Sequence, residues 1–178
     1  MLNPAPLKFT RFPIRDRSER FHLKNVSPSL CQRGHYKIRK CFQHSRGIVV
    51  TNADDPRTAY IGYLKEQDID VNYYGIAIDD IEDIFDEEDI ECLNCGETLK
   101  YEKRFLNHRG IYSCSCGFKR PELDVKLTDA VFGEDSWILT IEGDLYNYTC
   151  SCDVSFNVEI TVPPFGFHNI YNTLASIT

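Results

Sequence analysis

An α/β fold follows from three features of the sequence. The β-branched run Gly47-Ile48-Val49-Val50-Thr51 stops at Asn52-Ala53-Asp54-Asp55-Pro56, which predicts a strand, loop and helix unit belonging to a parallel sheet. Later segments rich in β-branched and aromatic residues, separated by turn-like triplets, predict a β-meander. Between them lie two cysteine pairs, each closed by a glycine, which predict a zinc ribbon inserted into the sheet. At 178 residues the chain suffices for one ordinary domain plus a small module.

The elements follow in order. Residues 1–33 read as irregular, with Pro4, Pro6, Pro13 and Pro28 breaking any long helix, and a short helix is expected over 35–43. After the strand at 47–51, Pro56 suits the first position of a helix through Glu66, capped by Asp54 or Asp55. The next strand is expected over Asp70–Ile78. Polar residues just past a strand's carboxyl end meet ligands in such sheets, so Asn52, Asp54 and Asp55 are site candidates, with plain helix capping as the equal alternative.

Cys92-x2-Cys95-Gly96 and Cys114-x-Cys116-Gly117 are separated by 18 residues, right for a hairpin that carries the second pair back to the first. Its strands are expected at 99–103 and 111–113, turning at Asn107-His108-Arg109-Gly110. Four thiolates can surround one zinc, and each glycine permits a positive φ that lets backbone amides approach the sulfurs. The second knuckle is one residue tighter than the first. A disulfide pairing or buried free thiols are the alternatives. Cys31, His35, Cys41 and His44 have irregular spacing and no glycine-closed knuckle, which argues against a second metal site.

The meander is expected over Leu123–Phe132, Trp137–Glu142 and Val154–Val162, with turns at Gly133-Glu134-Asp135 and Glu142-Gly143-Asp144. Cys150 and Cys152 read as edge-strand thiols, with replacement of a missing metal ligand as the alternative. A helix is expected from Phe167 to Ala175. His168, Asn169 and Asn172 sit at its start, where free N–H groups favour a phosphate or nucleotide.

The formal charge of −7 averages two opposed regions. Residues 1–46 carry eleven Lys/Arg against Asp16 and Glu19, and 79–91 carry nine acids and no base. A solvated basic tail explains the former, with nucleic-acid contact as the alternative, although no aromatic-basic stacking motif is present. The acidic run reads as a tether, or else a short amphipathic helix. Nothing at the N-terminus resembles a secretory signal and no apolar run approaches membrane-spanning length, so a cytoplasmic location is expected.

Asn52-Ala53-Asp54-Asp55-Pro56, Tyr73-Tyr74-Gly75-Ile76, the cysteine pairs running into Gly117-Phe118-Lys119-Arg120-Pro121-Glu122, and Gly166-Phe167-His168-Asn169-Ile170-Tyr171-Asn172 occur in that order. Over residues 36 to 178 the chain therefore resembles the MurT family, the Mur-ligase-like subunits of lipid II isoglutaminyl synthase. The resemblance implies a partial Mur ligase central domain, Rossmann-like, with segments 1–35 (irregular and basic), 36–91, the ribbon at 92–120, and 121–178. It implies structural zinc on Cys92, Cys95, Cys114 and Cys116. It also implies nucleotide contacts from His168, Asn169 and Asn172, with Asn172 the base or ribose contact, and a site role for Asn52, Asp54 and Asp55.

The family uses ATP and Mg2+ to activate the α-carboxyl of D-glutamate in lipid II as an acyl phosphate. A glutaminase partner, GatD, supplies the ammonia that forms the amide. None of the ten glycines here is followed by lysine, so the phosphate loop of such ligases is missing from this sequence. The family's C-terminal domain falls outside it as well. The expectation is a chain inactive alone, with an exposed sheet edge or face that favours self-association or a partner. A zinc-ribbon nucleic-acid-binding module and a non-catalytic remnant are the other readings.

Overall fold

A computed structural model describes residues 47–63, 69–78, 89–106, 109–164 and 166–178. The basic N-terminal segment, the helix expected at 35–43, Cys31, His35, Cys41 and His44, and most of the acidic run lie outside the described residues. The elements are β1 (Gly47–Asn52), α1 (Pro56–Tyr63), β2 (Ile69–Ile76), β3 (Lys100–Leu106), β4 (Arg109–Ser113), β5 (Val125–Phe132), β6 (Trp137–Asn147), β7 (Cys152–Val162) and α2 (His168–Ile177).

One five-stranded sheet has the order β1-β2-β5-β6-β7, and β3 and β4 form a separate hairpin. β1 pairs parallel with β2, and β2 with β5. The pairings of β5 with β6 and β6 with β7 are antiparallel. Both expected halves, parallel sheet and meander, are thus parts of one mixed sheet. β3 and β4 lie in the crossover between the parallel neighbours β2 and β5, where a helix usually sits.

α1 starts as its sequence requires. Pro56 has no N–H to leave unsatisfied, and the Asp55 carboxylate accepts from Arg57 N at 2.9 Å. β6 alternates buried Trp137, Leu139 and Ile141 with more exposed Ile138, Thr140 and Glu142, the period-2 signature of a sheet with one covered face. α2 covers the sheet over β1, β2 and β5, placing Ile170, Tyr171 and Leu174 against Ile76, Val125 and Leu127. Full burial of a side chain such as Leu139, Ile141 or Leu174 contributes about 1.5–3 kcal/mol, enough to fix which face turns inward.

Two expectations are corrected. Glu142-Gly143-Asp144 is not a turn: β6 runs straight through it, because the missing Cβ of Gly143 leaves room for the Phe156 ring, whose Cζ lies 2.4 Å from where that Cβ would be. The reversal comes at 148–151. There Cys150 and Cys152 are joined by a disulfide rather than remaining free edge thiols; the tight turn, with Ser151 at φ 52°, brings their Cα atoms within 5.3 Å.

A second buried cluster joins Ala59 of α1 to Ile90, Cys92, Leu99, Tyr112 and Phe118, with Tyr60 and Tyr73 against it. Phe105 belongs to the main core, and Leu106 and Ile111 pack on it. The cysteine-bearing segment is therefore built into the body by both faces of its hairpin. Among the described residues no helix is long and apolar enough to cross a membrane.

Candidate metal centre and adjoining turn

Cys92, Cys95, Cys114 and Cys116 come together with all four sulfurs within 4.8 Å of one another. The Cys92–Cys116 and Cys95–Cys114 pairs lie at 3.7 and 3.4 Å. A tetrahedral zinc with Zn–S bonds of about 2.3 Å sets its sulfurs about 3.8 Å apart, so this donor set fits such an ion.

The knuckles are shaped as the glycines require. Gly96 and Gly117 have φ of 82° and 90°; Gly96 N donates to Cys92 O at 2.8 Å, and Gly117 N to Cys114 O at 3.0 Å. The first turn thus spans five residues and the second four, which is how Cys-x-Cys still delivers two sulfurs. Backbone N–H groups of Asn94 and Cys95 face the Cys92 sulfur and that of Glu97 faces Cys95, yet burial raises the Cys92 thiol and the neighbouring cysteines carry Cys95 up to about 12. The Asn94 side-chain amide, with the Phe118 N–H, holds the Cys116 thiol at about 6, below its ordinary value. Donors aimed at sulfur stabilise thiolate, the form that binds metal.

The Asn52–Asp55 turn lies beside this ribbon at the carboxyl end of β1. Asn52 Oδ1 accepts from Asp54 N at 2.9 Å, closing the turn on itself. Asp54 has no exposed surface. Its Oδ1 accepts from Arg120 Nε at 2.7 Å and an Arg120 terminal nitrogen at 2.5 Å. Its Oδ2 accepts from Ile76 N at 2.9 Å and from the Tyr171 hydroxyl at 3.0 Å. Burial pushes the Asp54 carboxyl above its ordinary value, against the pull of Arg120 and the other donors. Burial likewise raises Tyr171 well above its ordinary value, so its hydroxyl stays protonated and donates.

The hairpin grips the same turn from a second side. Gly110 N donates to Asp54 O at 2.9 Å, and the Tyr112 hydroxyl to Ala53 O at 3.0 Å. The Arg109 guanidinium lies 4.9 Å from the Tyr171 ring centroid.

The three candidates of the turn are therefore brought together with α2 through Tyr171. His168 and Asn172 are exposed on α2 and Asn169 is half-buried; Asn172 Nδ2 donates to Asn169 Oδ1 at 3.3 Å. Phe167 precedes the helix with no side-chain cap, and the first-turn N–H groups expected to be free are partly taken: Asn169 N donates to Gly166 O at 3.0 Å and Ile170 N to Phe167 O at 3.1 Å. Arg120, Tyr171 and Arg109 were not singled out in the sequence. Arg120 stands 66 residues from Asp54, and local spacing carries no sign of a contact at that range.

No protein-family profile matches the chain. Lipid II isoglutaminyl synthase (glutamine-hydrolyzing) subunit MurT of Staphylococcus aureus strain COL is 26% identical over 184 residues, covering 99% of this chain and 35% of that protein. The same subunit of Streptococcus pneumoniae R6 is 34% identical over 95 residues, covering 52% of this chain and 18% of its own. This chain is a relative of MurT. It spans about a third of the length of the staphylococcal MurT. Among solved structures, a pseudomurein peptide ligase type C from Methanothermus fervidus superposes with a TM-score of 0.53 and 34% identity, over 82% of this chain and 26% of that one. The mixed α/β architecture of this MurT relative is thus a Mur-ligase-like one.

Proposed function

We propose that this chain is a zinc-binding part of a Mur-ligase-like carbon–nitrogen ligase acting in cell-wall peptide assembly. The observation that carries this reading is the identity of the two kinds of relative, an isoglutaminyl synthase subunit and a peptide ligase, combined with a fold shared over most of the chain. Both names describe formation of an amide bond. In such chemistry ATP converts a carboxylate to an acyl phosphate and ADP, and a nitrogen nucleophile then displaces phosphate. Cys92, Cys95, Cys114 and Cys116 would hold the zinc, whose contribution is folding free energy rather than reaction chemistry.

On the MurT reading the nucleophile is ammonia from a GatD-like glutaminase and the acceptor is the D-glutamate α-carboxyl of lipid II. His168, Asn169 and Asn172 at the start of α2 would meet the nucleotide, with Asn52, Asp54 and Asp55 shaping the adjoining turn. The peptide-ligase relative favours a second reading, in which the nucleophile is an amino-acid amine. Under either, the 178 residues alone should not turn over ATP, since no Gly-Lys segment is present to neutralise the β- and γ-phosphates.

The test is amidation and ATP hydrolysis by the chain alone and with a GatD-type glutaminase, using lipid II with ammonia or glutamine, and separately a muropeptide acceptor with free amino acids. Robust ATP turnover by the isolated chain would overturn the inactivity. Salt-sensitive binding of RNA or DNA at physiological ionic strength would replace the ligase reading with the nucleic-acid one. Metal analysis of protein purified under reducing conditions should return one zinc per chain, and a stoichiometry near zero would remove the zinc assignment.

A further inference from the structure

The four-cysteine centre and the Asn52–Asp55 turn belong to distant parts of the sequence, yet a short rigid path joins them. It starts at the second knuckle, where Phe118 N faces the Cys116 sulfur and Phe118 O accepts from Cys114 N at 2.8 Å. The Phe118 ring is fully buried between Tyr60, Tyr63 and Tyr112. Two residues on, Arg120 N donates to Tyr112 O at 3.0 Å, which fixes the backbone that launches its side chain. The guanidinium then spans the gap between the turn and β2, donating to Asp54 Oδ1 and, at 2.7 Å, to Ile76 O.

The Arg120–Asp54 pair is closely packed on the β2 side. Gly75 lies beneath the pair, and a Cβ there would sit 2.5 Å from Asp54 Oδ1 and 2.9 Å from the guanidinium, so the site is closed on that side. Asp54 is wholly buried and the Arg120 side chain is 14% exposed. A buried charge of this kind holds one geometry when its partner is in place and becomes strongly unfavourable when the partner shifts. The fork of Arg120 thus ties the segment leaving the second knuckle to the turn and to β2.

We propose that Arg120 is a positioning residue through which metal binding at Cys92, Cys95, Cys114 and Cys116 sets the conformation of the Asn52–Asp55 turn. The turn is then a metal-dependent element, formed when the knuckles are held and released when they open. This rests on the metal reading above.

The experiment is amide hydrogen exchange on the full 178-residue chain, reduced, with and without one equivalent of Co2+, whose thiolate absorption bands report loading independently. Loading should slow exchange at Ile76 and Ala53 at least tenfold. In the charge-neutral double variant Arg120→Met/Asp54→Asn, which avoids stranding a buried charge, the cobalt bands should persist while the slowing at Ala53, whose N–H donates to Tyr74 O and not to Asp54, is lost. Arg120→Lys, a point charge without the fork, should restore part of it.

A general loss of stability would instead raise exchange at Leu139 and Ile141 of β6 as well, in both metal states, and that outcome overturns the positioning role. Equal exchange at Ile76 and Ala53 with and without metal, in wild-type protein showing full cobalt bands, overturns the coupling and leaves the metal reading standing. Absence of the thiolate bands overturns the metal reading and the coupling with it.

Discussion

Asp54 shows how a residue that reads as a helix cap can serve as an internal tie. Its two oxygens receive donors from β2, from the segment leaving the ribbon and from α2, so four pieces of chain meet at one carboxylate. Asp54→Ala would leave the Arg120 guanidinium buried without its partner, and the expected loss of stability is about 3–5 kcal/mol by urea denaturation. The charge-neutral double variant should lose less. Tyr101 offers a pH signature at the same scale. Burial pushes its hydroxyl up to about 12. The folded state thus keeps Tyr101 neutral while the unfolded chain ionises it near 10. Its contribution is full below pH 10 and is lost as pH rises towards 12. Stability measured across that window should fall, and Tyr101→Phe should lessen the fall, to which buried Tyr112 and Tyr171 also contribute.

Among the elements, the strands and both described helices were legible because their signals are local. Pro56 marked the start of α1, the β-branched run marked β1, and Gly96 and Gly117 marked the knuckles. What was not legible depended on distant partners. Gly143 reads as a turn residue until Phe156 is known to lie over it, and nothing local to Arg120 shows that Asp54 faces it. The Cys150–Cys152 disulfide also needed the hairpin register, since the pairing of Asn147 with Cys152 puts both cysteines at its tip. A cross-link between residues two apart closes so small a loop that it removes little unfolded-state entropy, on the order of 1–2 kcal/mol. Its reduction should therefore move the thermal midpoint by only a few degrees. Cys95→Ser, by contrast, should unfold the ribbon, because zinc at four thiolates supplies on the order of 10 kcal/mol in small modules. Circular dichroism melts of the two variants separate these cases.

At the scale of the whole molecule, among the described residues the sheet is wider than its cover. Val154, Phe156, Val158, Ile160 and Val162 alternate along β7 on the side that β6 presents Leu139 and Ile141, by the pairings Ile141–Val158 and Leu139–Ile160. α2 packs over β1, β2 and β5 instead. Val154 and Val158 are left 39% and 38% exposed. The cross-strand pair Val131 and Ile138 is exposed too. Apolar rows of this kind mark contact surfaces. Light scattering coupled to size exclusion should show self-association that Val158→Glu weakens, and a wild-type chain that stays monomeric at high concentration would count against it.

The hairpin in the crossover also bears on how such a chain comes to be folded. β2 and β5 pair through Tyr74 and Val125, 51 positions apart, and long closures of this sort are what slow the assembly of parallel sheets. The knuckle segments close locally, Glu91 on Thr98 and Ser113 on Lys119. On the zinc reading proposed above, a ribbon that has already captured its ion would turn most of the intervening chain into a rigid spacer. That shortens the flexible loop by roughly 1 kcal/mol of closure entropy, several-fold in rate. The metal would then also decide when the sheet can form, acting on the order of assembly as well as on the finished fold.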